Sequence, residues 1–262
     1  MRVDILLVEK GLASSRARAQ DLIARGRVFI VNGDQRQVVK KSSQKVSPGE
    51  QDSVVVEAPE TPFVSRGGVK MQGALGRTGL VVAGYRVLDV GISTGGFTDC
   101  LLHEGAGHVV GVDVGHGQLA DKLKADSRVT LIEGVNARDL SGVGLIETNA
   151  GHKFDLAVID VSFISLTLVL PEVIQYLKES ARVLALVKPQ FEVGREGLGK
   201  NGIVKDASLY GEVEAKMRRC CEANGLTVED YFASPIEGTD GNREFFVLAR
   251  HQQMHFGLGA AE

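Results

Sequence analysis

"VLDVGISTGGFTDCLL", residues 87–102, decides the fold. It opens on the apolar residues of a buried strand, passes the acid Asp89, runs through Gly91, Gly95 and Gly96, and continues into a helical pattern. Strand, glycine loop and helix together hold nucleotide-like ligands, because glycine lets the backbone approach the ligand and a helix start presents free N–H groups. The strict G-x-G-x-x-G spacing of dinucleotide sites is absent.

Outward from this loop the chain alternates between apolar runs and helical patterns. Strands are predicted over Arg86–Val90, His108–Val112, Val129–Ile132, Leu156–Ile159, Val183–Val187, Val228–Phe232 and Glu244–Ala249. Helices are predicted at Gly73–Val82, Phe97–Glu104, Leu119–Ala125, Ser165–Leu177 and Ala207–Ala223. Such alternation predicts an α/β fold with a seven-stranded, Rossmann-like parallel sheet. No helix separates the last two strands, so they are expected to pair antiparallel. The second strand ends in Asp113, at the spacing where an acid grips the hydroxyls of a ribose.

Residues 1–60 read differently. They form a small α+β module with a helical turn over Asp4–Lys10, a helix capped by Ser14 or Ser15 that ends at Gly26, and strands at Val28–Val31 and Ser53–Val56. Pro59 to Pro62 makes a stiff linker, and residues 61–262 form the larger domain. Charge divides the same way. Residues 1–48 hold ten lysines and arginines and four acids, a net of +6 against −3 for the whole chain, which leaves −9 elsewhere. A basic module on an acidic one suggests polyanion contact. Arg16, Arg18, Arg25 and Arg27 lie on or beside one helix with only Asp21 among them, which points to nucleic acid.

Composition narrows the classes further. The chain of 262 residues is 44% hydrophobic and 24% charged, ordinary for a globular protein. No apolar run reaches the roughly 20 residues that span a bilayer, and the start is too short in apolar length for a signal peptide. Cys100, Cys220 and Cys221 show no metal spacing and suit a reducing cytosol. A cytoplasmic protein with no metal is expected.

The loop also contains Gly91-Ile92-Ser93-Thr94-Gly95, the G-x-S-x-G of a nucleophile elbow. A Ser93 hydrolase is the rival reading. It lacks an earlier strand for an oxyanion loop, and its histidine would have to be His251 or His255.

Four charges fall at one predicted edge. "LALVKP" ends a core strand on Lys188, and "LAVIDV" ends another on Asp160. Glu244 starts a strand expected to run the other way, and "SRGGVK" sets Lys70 before the first helix. Ligands of parallel α/β sheets bind at the carboxyl ends of strands. Each residue alone reads as a solvated strand end; two lysines and two acids beside a glycine loop read as a site.

The motifs "VSRGGVK", "DVGISTGGFTD", "VDVGHGQL", "VIDVSFISL", "LVKPQFEVG" and "GNREFF", in this order, resemble the TlyA/hemolysin A family, whose catalytic domain is similar to FtsJ-type ribose 2′-O-methyltransferases. Val69 and Met71 stand where leucines are common. The segment "LLVEKGLASSRARAQDLIARGRVFIVNG" resembles the S-four-type RNA-binding domain. The resemblance implies S-adenosyl-L-methionine as cofactor, ribosomal RNA or ribosomal subunits as partner, with cytidine the expected nucleoside, and a Lys-Asp-Lys-Glu tetrad at Lys70, Asp160, Lys188 and Glu244. Asp89 and the loop Gly91 to Gly96, with Ser93 and Gly95 in it, would then line the methionine end of the cofactor, and Phe97 beside it would also belong to the cofactor site. Asp113 would bind its ribose, and Asn136 or Arg138 would touch the adenine edge. Phe97 and Phe163 could stack on a ring or fill the core. The glycine-rich stretch 194–202 is a candidate lip over RNA or an inert surface loop. Lys188 would stabilise a developing alkoxide as ammonium, or act as general base as an amine. The competing readings are a non-catalytic RNA-binding or ribosome assembly protein and a membrane-active hemolysin.

Overall fold

A computed structural model describes residues 1–13, 15–24, 26–33, 35–57, 61–199, 202–238 and 241–252, without the side chain of residue 18. Ser14, Arg25, Pro59 and His255, and the side chain of Arg18, therefore lie outside the described residues. The chain divides into two compact units, Met1–Pro62 and Phe63–Glu262.

In the first unit, helices α1 (Val3–Glu9) and α2 (Arg16–Ala24) accompany a three-stranded antiparallel sheet. Its strands are β1 (Val28–Asn32), β2 (Gln35–Val38) and β3 (Val54–Val56), in the order β2-β1-β3. Val3, Leu6, Leu7, Ala19, Ile23, Val28, Ile30 and Val54 form its core. Gly26, at φ +66°, ends α2 in the left-handed conformation that glycine adopts without a Cβ penalty. Strand β2 was not expected: Gln35-Arg36-Gln37-Val38 has no apolar alternation, because this edge strand leaves its first three residues exposed.

One buried charge ties the two helices together. Asp4 on α1 is fully buried. It accepts from Arg2 Nε and Nη2, both at 2.9 Å, from Arg16 Nη2 at 3.1 Å and from Gln20 Nε2 at 3.2 Å.

The second unit is the expected α/β fold. Its strands are β4 (Arg86–Val90), β5 (His108–Asp113), β6 (Val129–Glu133), β7 (Phe154–Ile159), β8 (Leu177–Val187), β9 (Leu226–Ala233) and β10 (Phe245–His251). They form one seven-stranded sheet in the order β6-β5-β4-β7-β8-β10-β9. The first five strands are parallel, and β10 runs antiparallel to both neighbours. Alternation along β4 sends Val87 to one face and Leu88 and Val90 to the other. Helices α3 (Arg66–Thr78) and α4 (Gly96–His103) contribute to the core on the Val87 face. Short helices α5 (Asp121–Lys124), α6 (Leu145–Thr148) and α7 (Leu170–Ile174), and the longer α8 (Leu209–Ala223), complete the unit.

Three boundaries differ from expectation. Helix α3 begins seven residues before the expected Gly73, so Lys70 lies inside it and not ahead of it. Gly67-Gly68 looks like a loop in sequence, yet the pair serves packing: a Cβ on Gly68 would lie 2.3 Å from Phe63 Cβ, and one on Gly67 would touch Gly96 Cα at 3.5 Å. Strand β8 begins at Leu177, where the sequence suggested a helix still running. Its polar start Lys178-Glu179-Ser180 is absorbed in an irregularity, where register jumps from Phe154↔Leu177 to Leu156↔Arg182. The expected helix 165–177 shrinks to a 3₁₀ turn at Leu166–Leu168 plus the five residues of α7.

Candidate active site

The sheet reverses its order between β4 and β7, and ligands of open α/β sheets bind at such a point beyond the strand ends. Three glycines there answer to close contacts. Gly91 has φ +86°, and a Cβ on it would lie 2.4 Å from the carbonyl oxygen of Asp160. A Cβ on Gly95, at φ +90°, would meet Leu123 at 2.2 Å. On Gly96 it would meet Ser65 Oγ at 2.2 Å and Gly67 Cα at 3.0 Å, so the starts of α3 and α4 pack backbone to backbone. Between them Ser93 holds φ +48°, uncommon for a residue with a side chain and concentrated at functional loops.

Asp113 sits at the end of β5 beside this loop. Its Oδ2 accepts from Ser93 N–H at 2.8 Å and its Oδ1 from Gly115 N–H at 2.7 Å. Each carboxylate oxygen keeps a further lone pair for a hydroxyl. The Ser93 hydroxyl donates to Gln118 Oε1 at 3.0 Å. His251 lies at the far end of β10 and contacts the Lys178 carbonyl, at the opposite edge of the sheet. A Ser93–His251 pair is therefore overturned; the elbow motif is a coincidence of a glycine-rich loop.

The four expected charges form two pairs at the same edge. Parallel pairing of Ile159 with Ala185 sets Asp160 and Lys188 beyond neighbouring strand ends, and their Oδ1 and Nζ lie 2.6 Å apart. Antiparallel pairing of Phe245 with Val187 brings Glu244 to that edge, where it meets Lys70 from α3 at 2.5 Å. Side-chain exposure is 11% for Lys70, 3% for Glu244, 12% for Lys188 and 23% for Asp160. Desolvating two ion pairs is costly, and hydrophobic replacements of such pairs are often no less stable. Two of them at a ligand edge fit a chemical role better than a stabilising one. Lys188 also donates to Ser162 Oγ at 2.9 Å, a partner the sequence reading missed.

Other expected residues sit less directly. Asp89 is fully buried, and its Oδ2 accepts from Thr98 Oγ1 on α4 at 2.6 Å while its Oδ1 has no hydrogen-bond partner among the described residues. Burial pushes its carboxyl up to about 7, with the charges of Asp160 and Asp113 adding to the rise and Thr98 opposing it. It braces the loop from behind. Phe97 is buried against Phe246, with ring centroids 6.1 Å apart, and belongs to the core. Asn136 and Arg138 are exposed beyond β6, joined by the Arg138 N–H donating to Asn136 Oδ1 at 3.0 Å. Phe163 is 91% exposed, holds φ +64°, and lies 5.2 Å from the Phe191 ring.

Further partners escaped the sequence reading. Glu192, nearly buried, accepts from Ser165 Oγ at 2.6 Å and Leu166 N–H at 2.8 Å and pairs with Lys216 of α8 at 2.7 Å. The only sequence signal was the unexplained acid in "LVKPQFEVG". In the first unit, Arg16 serves Asp4, and Arg27 and Arg36 pair with Glu57 at 3.2 and 2.8 Å. The arginine helix thus has acids brought to it by the fold. Arg16 keeps 57% of its side chain exposed.

A glycine loop after the first strand of the sheet, an acid after the second and an antiparallel last pair define the Rossmann-like methyltransferase class. The comparisons agree. Residues 63–251 match the FtsJ-like methyltransferase family and residues 1–52 match the S4 domain. The chain is 43% identical, over 96% of its length and 90% of the relative's, to the 16S/23S rRNA (cytidine-2′-O)-methyltransferase TlyA of Mycobacterium tuberculosis. A solved structure described as a hemolysin from Streptococcus thermophilus shares 37% identity and superposes with a TM-score of 0.74, covering 97% of this chain and 89% of that one. An S-adenosylmethionine dependent methyltransferase from Mesorhizobium loti, 17% identical, shares the fold with a TM-score of 0.50, over 70% of this chain and 98% of its own.

The chain belongs to the FtsJ-like methyltransferase family, within its TlyA/hemolysin A group, and its methyl donor is S-adenosylmethionine. Among the described residues, no helix is long and apolar enough to cross a membrane.

Proposed function

We propose that this enzyme methylates the ribose 2′-hydroxyl of a cytidine in ribosomal RNA, in the cytoplasm, with Lys70, Asp160, Lys188 and Glu244 as its catalytic group. The observation that carries the reading is the meeting of the Lys188–Asp160 and Lys70–Glu244 pairs, at 2.6 and 2.5 Å, beside a glycine loop. The residues present fit the donor. Gly91, with no Cβ, lets the loop close against the Asp160 carbonyl and so sets it beside the catalytic acid, and Asp113 offers spare lone pairs to two ribose hydroxyls. Ser93, Gly95 and Gly96 would line the rest, Asn136 and Arg138 the adenine side, and Asp89 would act through the loop it braces.

A ribose hydroxyl is a weak nucleophile at neutral pH. S-adenosylmethionine held by the loop and Asp113 would supply an electrophilic methyl group for the 2′-oxygen, and the hydroxyl proton would pass to water. Lys188, as ammonium, stabilises the negative charge that grows on the 2′-oxygen. In a partly dry cleft such a fixed donor is worth far more than in water. Asp160 holds Lys188 in place. Lys70 and Glu244 shape the far wall of the cleft and orient the ribose. With little covalent work for the protein, positioning carries much of the rate.

The RNA side has its own support. Phe163, exposed next to the tetrad, offers an aromatic face for an unstacked base. The S4 unit, with Arg16, Arg18, Arg25 and Arg27, would dock on structured rRNA. Tritium transfer from S-adenosylmethionine to ribosomal particles lacking native methylation tests this. Wild type should label a ribose 2′-oxygen, and Lys188→Ala should lose about 100-fold or more while still binding the donor. Equal labelling by both proteins, or none by wild type, would sink the assignment.

A further inference from the structure

The segment between Asp160 and Leu166 is built around Lys188. Val161 packs into the core, while Asp160 and Ser162 on either side of it both reach Lys188 Nζ. At Phe163 the backbone turns left-handed, φ +64°. Further on, Glu192 takes hold of Ser165 Oγ and the Leu166 N–H, at 2.6 and 2.8 Å, with Lys216 as its counter-ion. Lys188 and Glu192 thus grip the two ends of one segment from a single turn of chain.

Lys188 Nζ has two oxygens near it among the described contacts, Asp160 Oδ1 at 2.6 Å and Ser162 Oγ at 2.9 Å. An ammonium carries three N–H bonds fanned about the nitrogen. A carboxylate alone attracts that group by charge, which is weakly directional. Asp160 Oδ1 draws the ammonium close without accepting a hydrogen bond from it, so among the described residues Ser162 Oγ is the directional acceptor that fixes its rotation and gives the other two N–H bonds a defined heading.

We propose that Ser162 is a positioning residue for methyl transfer: by accepting from Lys188 it fixes the ammonium's rotation so that one of its remaining N–H bonds is aimed at the ribose 2′-oxygen. This rests on the tetrad reading above. Ser162 is exposed, so its side chain has no place in the core to vacate. Asp160, Ser162 and Lys188 then form one aimed unit, while Phe163, next in sequence, is turned outward.

The test compares Ser162→Ala, Ser162→Thr and Lys188→Ala in the full chain, with S-adenosylmethionine and unmethylated ribosomal particles. Misaiming a catalytic group by a fraction of an ångström should lower the Ser162→Ala single-turnover rate about tenfold. KM for both substrates and the thermal midpoint should not move, and Ser162→Thr, which keeps the acceptor, should recover most of the rate. An alanine variant as fast as wild type would overturn the proposal. So would a loss confined to KM for RNA, which would make Ser162 an RNA contact, or a lowered thermal midpoint, which would make it structural. Should Lys188→Ala itself remain active, the tetrad reading fails with it, a result separable from failure at Ser162 alone.

Discussion

Asp4 in the N-terminal unit and Asp89 in the catalytic unit are both fully buried, and they are opposites. Asp4 accepts four hydrogen bonds from Arg2, Arg16 and Gln20, and the Arg2 guanidinium, against the pull of burial, holds its carboxyl well below the usual range. Asp89 has Thr98 alone, and burial drives its carboxyl up to about 7. A buried acid ringed by donors is a fixed anion that fastens one helix to another. A buried acid left with a bare oxygen is a group that changes charge in the neutral range. The first belongs to a scaffold, the second to the wall of a reaction site, and perturbed acids concentrate at such sites.

The comparison can be broken most severely at Asp4. Asp4→Asn should cost the N-terminal unit about 2 kcal/mol, the toll of unpairing buried charge discounted for partly exposed arginines. Hydrogen exchange along α1 and α2 should rise while β4 to β10 stay protected. Acid should act in the same direction. Because the folded carboxyl is depressed, its contribution is present above the unfolded value of ~3.9 and drains away as pH falls below it.

Asp89 should show the reverse sign. Its folded carboxyl is raised, so its contribution is full below ~3.9 and is lost as pH climbs towards about 7. Thermal scans at pH 8 should therefore find Asp89→Asn no less stable than wild type, and at pH 4 the advantage should vanish. A variant that is less stable at both values would mean that Asp89 is an ordinary structural anion.

The smallest effect should come from Glu57, which lies half-buried between Arg27 and Arg36. Glu57→Gln should leave the thermal midpoint essentially where it is, because solvent still reaches these pairs and screens them. It should tighten rRNA binding at low salt, because Arg27 and Arg36 each lose one acidic neighbour. Unchanged binding would remove this end of the arginine helix from the RNA face.

The strands of the catalytic unit were legible because each is a short apolar run ended by glycine, proline or charge. Lys188 was legible for the same reason, as a charge closing such a run. What failed to show was whatever depends on contact between distant segments. Gly67-Gly68 carries no mark that distinguishes close helix packing from a turn. Strand β2 is polar because it lies on an edge, and β8 hides its first residues in a register jump. Glu57 and Asp4 are far in sequence from the arginines they neutralise, so a charge count along one helix overstated its freedom. Asp89 read as a cofactor ligand because acids in such loops commonly are. Its burial behind the loop follows from strand alternation, which puts it on the α4 face with Val87.

Gly91 carries a consequence for how this enzyme can vary. Its Cα lies against the Asp160 carbonyl so closely that a methyl group there would stand 2.4 Å from the oxygen. The donor loop and the catalytic acid therefore share one wall with no slack in it. Any substitution at position 91 moves both, so donor affinity and turnover would fail together, and lineages cannot retune one of them at that position without answering for the other.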